Sequence, residues 1–262
     1  MDVNGWVIRD DVVAQANGRV LVIDGTAWFE WPLPRTLELR IPPVAPGKGP
    51  YAVRAHSVDV DRLDRRKQYD DGTIEGWAAL TGLWRDHELH VHTQNPMPQP
   101  VAWTNQWATP PCPPPQDGWP TVPVYPPMTA ANLTERPPQP DECAELTITQ
   151  VTSFRPHPTQ PVLVVAAEDP ERAERALRPR FGAALCVVAS EYRQQEIDAT
   201  VRRLREEMSA RRWPITSTGR SASSAGQPTV TAHLAWLKPE VAQWAETVPD
   251  GLLDLDVWLT PA

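Results

Sequence analysis

Pro110-Pro111-Cys112-Pro113-Pro114-Pro115 is the densest part of residues 96–140, a stretch that holds about half of the 31 prolines of the chain. Proline fixes φ and has no backbone N–H, so this stretch can form neither a helix interior nor a central strand. It therefore divides the 262 residues into three parts. We predict a β-rich first domain at 1–95, a connector at 96–143 and a second domain at 144–262.

The connector carries four large aromatic rings, which belong to Trp103, Trp107, Trp119 and Tyr125. Rings of this size are seldom left on a purely solvated linker. Proline-rich segments favour polyproline II, which costs little entropy to immobilise and is a common recognition surface. We predict these four residues as partner-binding. Two alternatives stay open: an ordered strap whose rings tuck into the domains, and a plain flexible linker.

The first domain reads as mostly antiparallel β. Asn17-Gly18 between two apolar runs is a strong hairpin signal. Residues 36–41 alternate between apolar and polar, and a polar turn joins strands predicted over 74–84 and 88–93. Five or six strands cannot cover both faces of an open sheet, so we predict closure into a small barrel or a compact sandwich.

The phrase Gly76-Trp77-Ala78-Ala79-Leu80-Thr81-Gly82-Leu83-Trp84, followed by a polar turn and an alternating strand, resembles the strand pairs of OB-like barrels. Such barrels host unrelated functions, so the resemblance by itself implies no ligand. One alternative function takes this domain as an OB-like nucleic-acid-binding module, which requires Trp77 or Trp84 to be exposed for base stacking. The formal net charge of −8 argues against nucleic acid as a partner, because it repels polyphosphate at long range.

The second domain mixes helices and strands in the order β-β-α-β-α-β-β-α. The apolar run 162–167 predicts a strand in a covered sheet, and Asp169-Pro170 predicts the start of a helix. The longest helix is predicted over 191–211. The fold class is therefore α+β: a mostly antiparallel N-terminal barrel or sandwich, a proline-rich connector and a C-terminal two-layer α+β domain with helices on one face.

Two phrases, Leu185-Cys186-Val187-Val188 and Val248-Pro249-Asp250-Gly251-Leu252-Leu253-Asp254-Leu255-Asp256, accompany a composition rich in Ala, Arg and Pro. In these respects the chain resembles uncharacterised proteins from high-GC actinobacteria. The resemblance implies no activity and no catalytic residue.

The cysteines and the hydropathy suggest a compartment. Three cysteines without CxxC spacing predict neither a disulfide framework nor a zinc ribbon. We predict Cys186 as a small buried hydrophobe and Cys112 as an exposed thiol. No apolar run approaches the roughly 20 residues that span a bilayer, and the N-terminus has no signal-peptide pattern. We expect a cytoplasmic protein without a membrane partner.

The best candidate for chemistry is Glu88-Leu89-His90-Val91-His92. A strand period of two puts Glu88, His90 and His92 on one face. His90 and His92 can begin a metal site, to which His56 on another predicted strand adds a third ligand. The alternative is that these residues are the solvated polar face of a half-exposed sheet.

No nucleophile elbow, P-loop or paired carboxylates at a defined separation support catalysis. We therefore predict no catalytic residue and no cofactor. The predicted function is that of a non-enzymatic protein-binding or adaptor protein of unknown partner. The alternatives are a metal-dependent enzyme that uses His90 and His92, and an OB-like nucleic-acid-binding module.

Overall fold

The computed structural model describes residues 3–31, 51–97, 109–121, 138, 140–157 and 159–262. Its α+β class confirms the prediction. The described helices are α1 (Pro140–Glu145), α2 (Pro170–Phe181), α3 (Gln194–Ser209) and α4 (Pro239–Ala245). The described strands are β1 (Val12–Ile23), β2 (Thr26–Glu30), β3 (Val53–His56), β4 (Asp64–Gln68), β5 (Ile74–Arg85), β6 (Glu88–Asn95), β7 (Ile148–His157), β8 (Gln160–Ala167), β9 (Leu185–Ala189), β10 (Ile215–Ala222), β11 (Pro228–Trp236) and β12 (Leu253–Pro261).

The N-terminal strands form a closed barrel. Five strands follow one another in the order β1-β2-β3-β6-β5, and β5 pairs again with β1. All neighbours are antiparallel except β3 and β6, which run parallel. Alternate side chains of β5 point inward, including Ala78, Leu80 and Trp84. The predicted small barrel is confirmed, and its closure is loosely consistent with the OB-like resemblance.

Asn17-Gly18 does not form the predicted hairpin. β1 runs straight through it, and the turn comes at Asp24-Gly25, where both residues have positive φ. Gly18 is needed for another reason: a Cβ there would lie 2.6 Å from the carbonyl oxygen of Glu30 and 2.7 Å from the ring of Phe29. A glycine inside a strand often marks such a close approach rather than a turn.

The C-terminal region contains two units of the same topology. In each unit an antiparallel hairpin is followed by a helix and a strand that returns parallel to the second strand: β7-β8-α2-β9 and β10-β11-α4-β12. α3 links the two units. It packs Ile197, Val201 and Leu204 against β10–β12, in a core that α4 shares. The predicted element order is confirmed, and its strands are divided between two sheets.

The second of these units is continuous with the barrel. β12 pairs with β1 as well as with β11, so nine strands belong to one sheet. Leu259 of β12 is fully buried in the barrel core, and Trp258 donates a hydrogen bond of 2.7 Å to the carbonyl of Asn17. The core of the closed barrel therefore includes a side chain from β12. The domain bounds stay a prediction.

Residues 109–121, which we call the strap, lie against the three-stranded sheet β7-β8-β9. Trp119 is buried there with Phe154, Val162 and Val164. This placement favours the ordered-strap alternative for the described part of the connector. Trp103, Trp107 and Tyr125 lie outside the described residues.

A disulfide fastens the strap to the sheet. Cys112 and Cys186 are joined across 74 residues, and Cys143 is the free cysteine. The prediction that no disulfide forms is therefore wrong, because spacing along the chain says nothing about which cysteines the fold brings within bonding distance. Disulfides are rare in cytosolic proteins, so this bond does not support the cytoplasmic location, which stays a prediction.

Candidate metal centre

The candidate site lies where β3 and β6 run side by side on the barrel. Their parallel register pairs Arg54 with Glu88, Ala55 with Leu89 and His56 with His90. Ala55 and Leu89 are buried, because they point into the barrel core. By the strand period of two, their neighbours point outward.

Three of these outward side chains converge. The ligand atoms of His56, Glu88 and His90 all lie within 4.8 Å of one another. The two imidazole rings stack, with centroids 4.6 Å apart and planes inclined by 7°. Nε2 of His56 lies 2.5 Å from a carboxylate oxygen of Glu88, which the ring can donate to in the appropriate tautomer. Two imidazoles and a carboxylate therefore share one patch of surface.

Glu88 is the acidic residue of the cluster and interacts with both His56 and Arg54. The hydrogen bond from His56 lowers the pKa of the carboxyl, and the nearby charges of His56 and Arg54 lower it further. Arg54 lies 3.5 Å from the other carboxylate oxygen. The anion is thus present at neutral pH, and a guanidinium competes for it.

His92 lies outside this cluster. It is the next outward residue of β6, but the pairing with β3 ends at His56 and His90. His92 is exposed, and its Nδ1 lies 3.1 Å from the hydroxyl of Thr93. The spacing along the strand predicted that His90 and His92 form one site. In the structure, His90 instead lies close to His56 and Glu88. His92 as a ligand stays a prediction.

The arrangement fits a divalent ion of the zinc type. Zinc binds imidazole nitrogen and carboxylate oxygen at about 2.0–2.2 Å, which places ligand atoms of a tetrahedral site roughly 3.3 Å apart. The ligand atoms lie within 4.8 Å of one another, so binding a zinc ion would require side-chain rotations that bring them closer. Three protein ligands leave a fourth position open for water or for another donor, as in sites where zinc acts as a Lewis acid.

An open cavity lies on another part of the fold. It has a volume of about 600 Å³ between α3 and β10, and its lining includes Asp198, Arg205 and Arg220. None of the three cluster residues lines it. The cluster instead occupies the outer surface of the barrel, where about a third of the side-chain surface of both His56 and Glu88 is exposed.

No protein-family model matches this chain, and no curated protein matches it either. The resemblance to actinobacterial proteins therefore stays a prediction. Among the described residues, no helix has the length and apolar character needed to cross a bilayer.

Proposed function

We propose that this protein binds a divalent transition-metal ion through His56, Glu88 and His90. The observation that carries the proposal is the convergence of three ligand atoms within 4.8 Å from two neighbouring strands. Nitrogen and carboxylate donors in this combination suit zinc and iron(II), whereas calcium and magnesium prefer sites made of oxygen alone. The proposed role is binding, because the ligands lie on an open surface of the barrel.

The test is calorimetric titration of the metal-free full chain with zinc. We expect one ion per chain, with roughly tenfold or greater loss of affinity in His56→Ala and in His90→Ala, since each removes one of three ligands. His92→Ala is the matched control, because it removes an exposed histidine of the same strand and should leave affinity unchanged.

One further variant should raise zinc affinity instead of lowering it. Arg54→Ala removes the cation that competes for Glu88 at 3.5 Å, so we expect zinc affinity to rise about two- to fivefold, the size of a surface ion pair. The proposal fails if the metal-free chain shows no saturable zinc binding. It also fails if His92→Ala weakens binding as much as His90→Ala does.

The adaptor function predicted from the connector remains a second proposal. Three prolines of the strap are exposed: Pro111, Pro113 and Pro114. This exposure favours a polyproline surface that a partner protein could bind. Trp119 is buried instead, and so contributes to the strap rather than to such a surface. A partner whose affinity is unchanged by Pro113→Ala and Pro114→Ala together would contradict this use of the strap.

The nucleic-acid alternative has less support. Trp84, one of the two candidate rings for stacking, is 2% exposed in the barrel core. Several basic side chains of the barrel are paired with acids, including Arg19 with Glu30 and Arg85 with Asp11. Paired arginines give no concentrated positive face to attract phosphates.

A further inference from the structure

The sheet β7-β8-β9 is covered on its two faces in different ways. One face packs Leu163, Val165 and Leu185 against α2. The other face presents Phe154, Val162 and Val164, and its cover is shared by the strap and by Gly226 of the loop between β10 and β11, which lies against Val164. Residues 161–167 of β8 are all buried. The helix α2 covers one side of this strand, and the proline-rich strap helps to cover the other.

Within the part of the chain that the structure describes, side chains provide most of the attachment of the strap. The backbone hydrogen bond between two described strap residues is internal and joins the N–H of Gly118 to the carbonyl of Pro115 at 2.8 Å. Proline supplies no N–H for pairing with the sheet. The strap is therefore fastened by side chains: Trp119 against the apolar face, Pro111 beside Gly226, and the disulfide of Cys112.

The two cysteines of this disulfide differ in burial. Cys112 on the strap is half-buried, whereas Cys186 on β9 is 1% exposed. Thiol–disulfide exchange requires an incoming thiolate to reach one sulfur, and the other sulfur then leaves. The geometry makes Cys112 the sulfur that is attacked and Cys186 the leaving group.

We propose that Cys112–Cys186 is a site of reversible thiol–disulfide exchange whose reduction releases the strap and uncovers Phe154 and Val162 on the apolar face of the sheet. A dithiol supplies the two electrons. Its first thiolate bonds to Cys112 and expels the Cys186 thiolate, which takes up a proton. Its second thiol then attacks the mixed disulfide, releases Cys112 as a thiol and leaves the dithiol as a cyclic disulfide. This inference is independent of the proposed metal site.

The experiment compares amide hydrogen exchange of the full chain before and after treatment with dithiothreitol. A Cys143→Ser background removes the third thiol from exchange. We expect the amide of Gly118, which donates to the carbonyl of Pro115, to exchange roughly tenfold faster or more after reduction, with β5 amides unchanged, because only the strap loses its attachment. Binding of an apolar dye should rise in parallel.

Two variants keep the test independent of the reductant. Cys112→Ser on the same background keeps the buried Cys186 and should show the released strap without dithiothreitol. Trp119→Ala keeps the disulfide and should leave the strap attached until reduction. The proposal is overturned by a strap that stays protected in the reduced chain and in Cys112→Ser, by a disulfide that resists the dithiol in the native protein, or by reduction that unfolds the barrel strands as well.

Discussion

Glu207 is a buried carboxylate near the end of α3, and its charge is compensated from two directions. Arg212 donates hydrogen bonds of 2.5 and 3.0 Å to its two oxygens, and Arg203 lies 2.9 Å away. The hydrogen bonds from Arg212 hold the pKa of Glu207 below its usual value, although burial alone would raise it. The side chain is 2% exposed, so the pair is only partly screened by water.

We expect Glu207→Gln to lower the free energy of unfolding by about 1–2 kcal/mol at neutral pH, because two arginines lose a charged acceptor. The exposed arginine ends reduce the effect below that of a fully buried pair. Urea denaturation measures it, with the exposed neighbour Glu206→Gln as the matched control. Equal effects of the two variants would contradict the assigned role.

The same residue predicts a pH dependence. Because the folded pKa of Glu207 is depressed, its contribution to stability is complete above the unfolded pKa of about 4.3 and is lost as the pH falls through the folded value. The difference in stability between the native chain and Glu207→Gln should therefore shrink below about pH 4. A difference that persists undiminished in acid would indicate a cause other than ionisation.

Strands β5 and β6 position His90 through a close backbone contact. The register between them shifts at Thr81 and Gly82, and a Cβ on Gly82 would lie 2.4 Å from the carbonyl oxygen of His90. No L side chain fits there unless β6 moves. The glycine of β5 thus determines how closely the candidate ligand strand approaches the barrel wall.

We expect Gly82→Ala to cost about 1–3 kcal/mol of stability, the range of overpacking in a filled interior. It should also weaken zinc binding by displacing His90, which lies on the strand that must shift. Gly219→Ala in β10 is the control, because no atom lies within 4 Å of its added Cβ. Urea midpoints and zinc titrations provide the two measurements, and native-like values of both for Gly82→Ala would contradict the contact.

For the molecule as a whole, the nine-stranded sheet determines whether the barrel can fold without the rest of the chain. The barrel core includes Leu259, and β1 takes part of its edge pairing from β12. A fragment of residues 1–97 lacks both contributions. Loss of a fully buried leucine side chain alone costs about 2–5 kcal/mol, a large part of the stability of a small domain.

We therefore expect the 1–97 fragment to unfold at a much lower urea concentration than the whole chain, or to lack a cooperative transition. In the full chain, Leu259→Ala should lower the stability of the barrel although it lies far from it in sequence. Near-UV circular dichroism during denaturation checks both. A fragment with the same midpoint as the full chain would show that the first domain is independent, as its predicted bounds imply.

Local patterns determined much of this protein. The strand alternation of β5 and β6, the apolar run of β8 and the Asp169-Pro170 helix start were predicted from the sequence, because each depends on neighbours in the chain. Only the tertiary structure decided that His90 faces His56 and Glu88, that Cys112 meets Cys186 and that Leu259 fills the barrel. These contacts join residues 32 to more than 100 positions apart, and the register of a parallel pair or the closure of a sheet leaves no local signal.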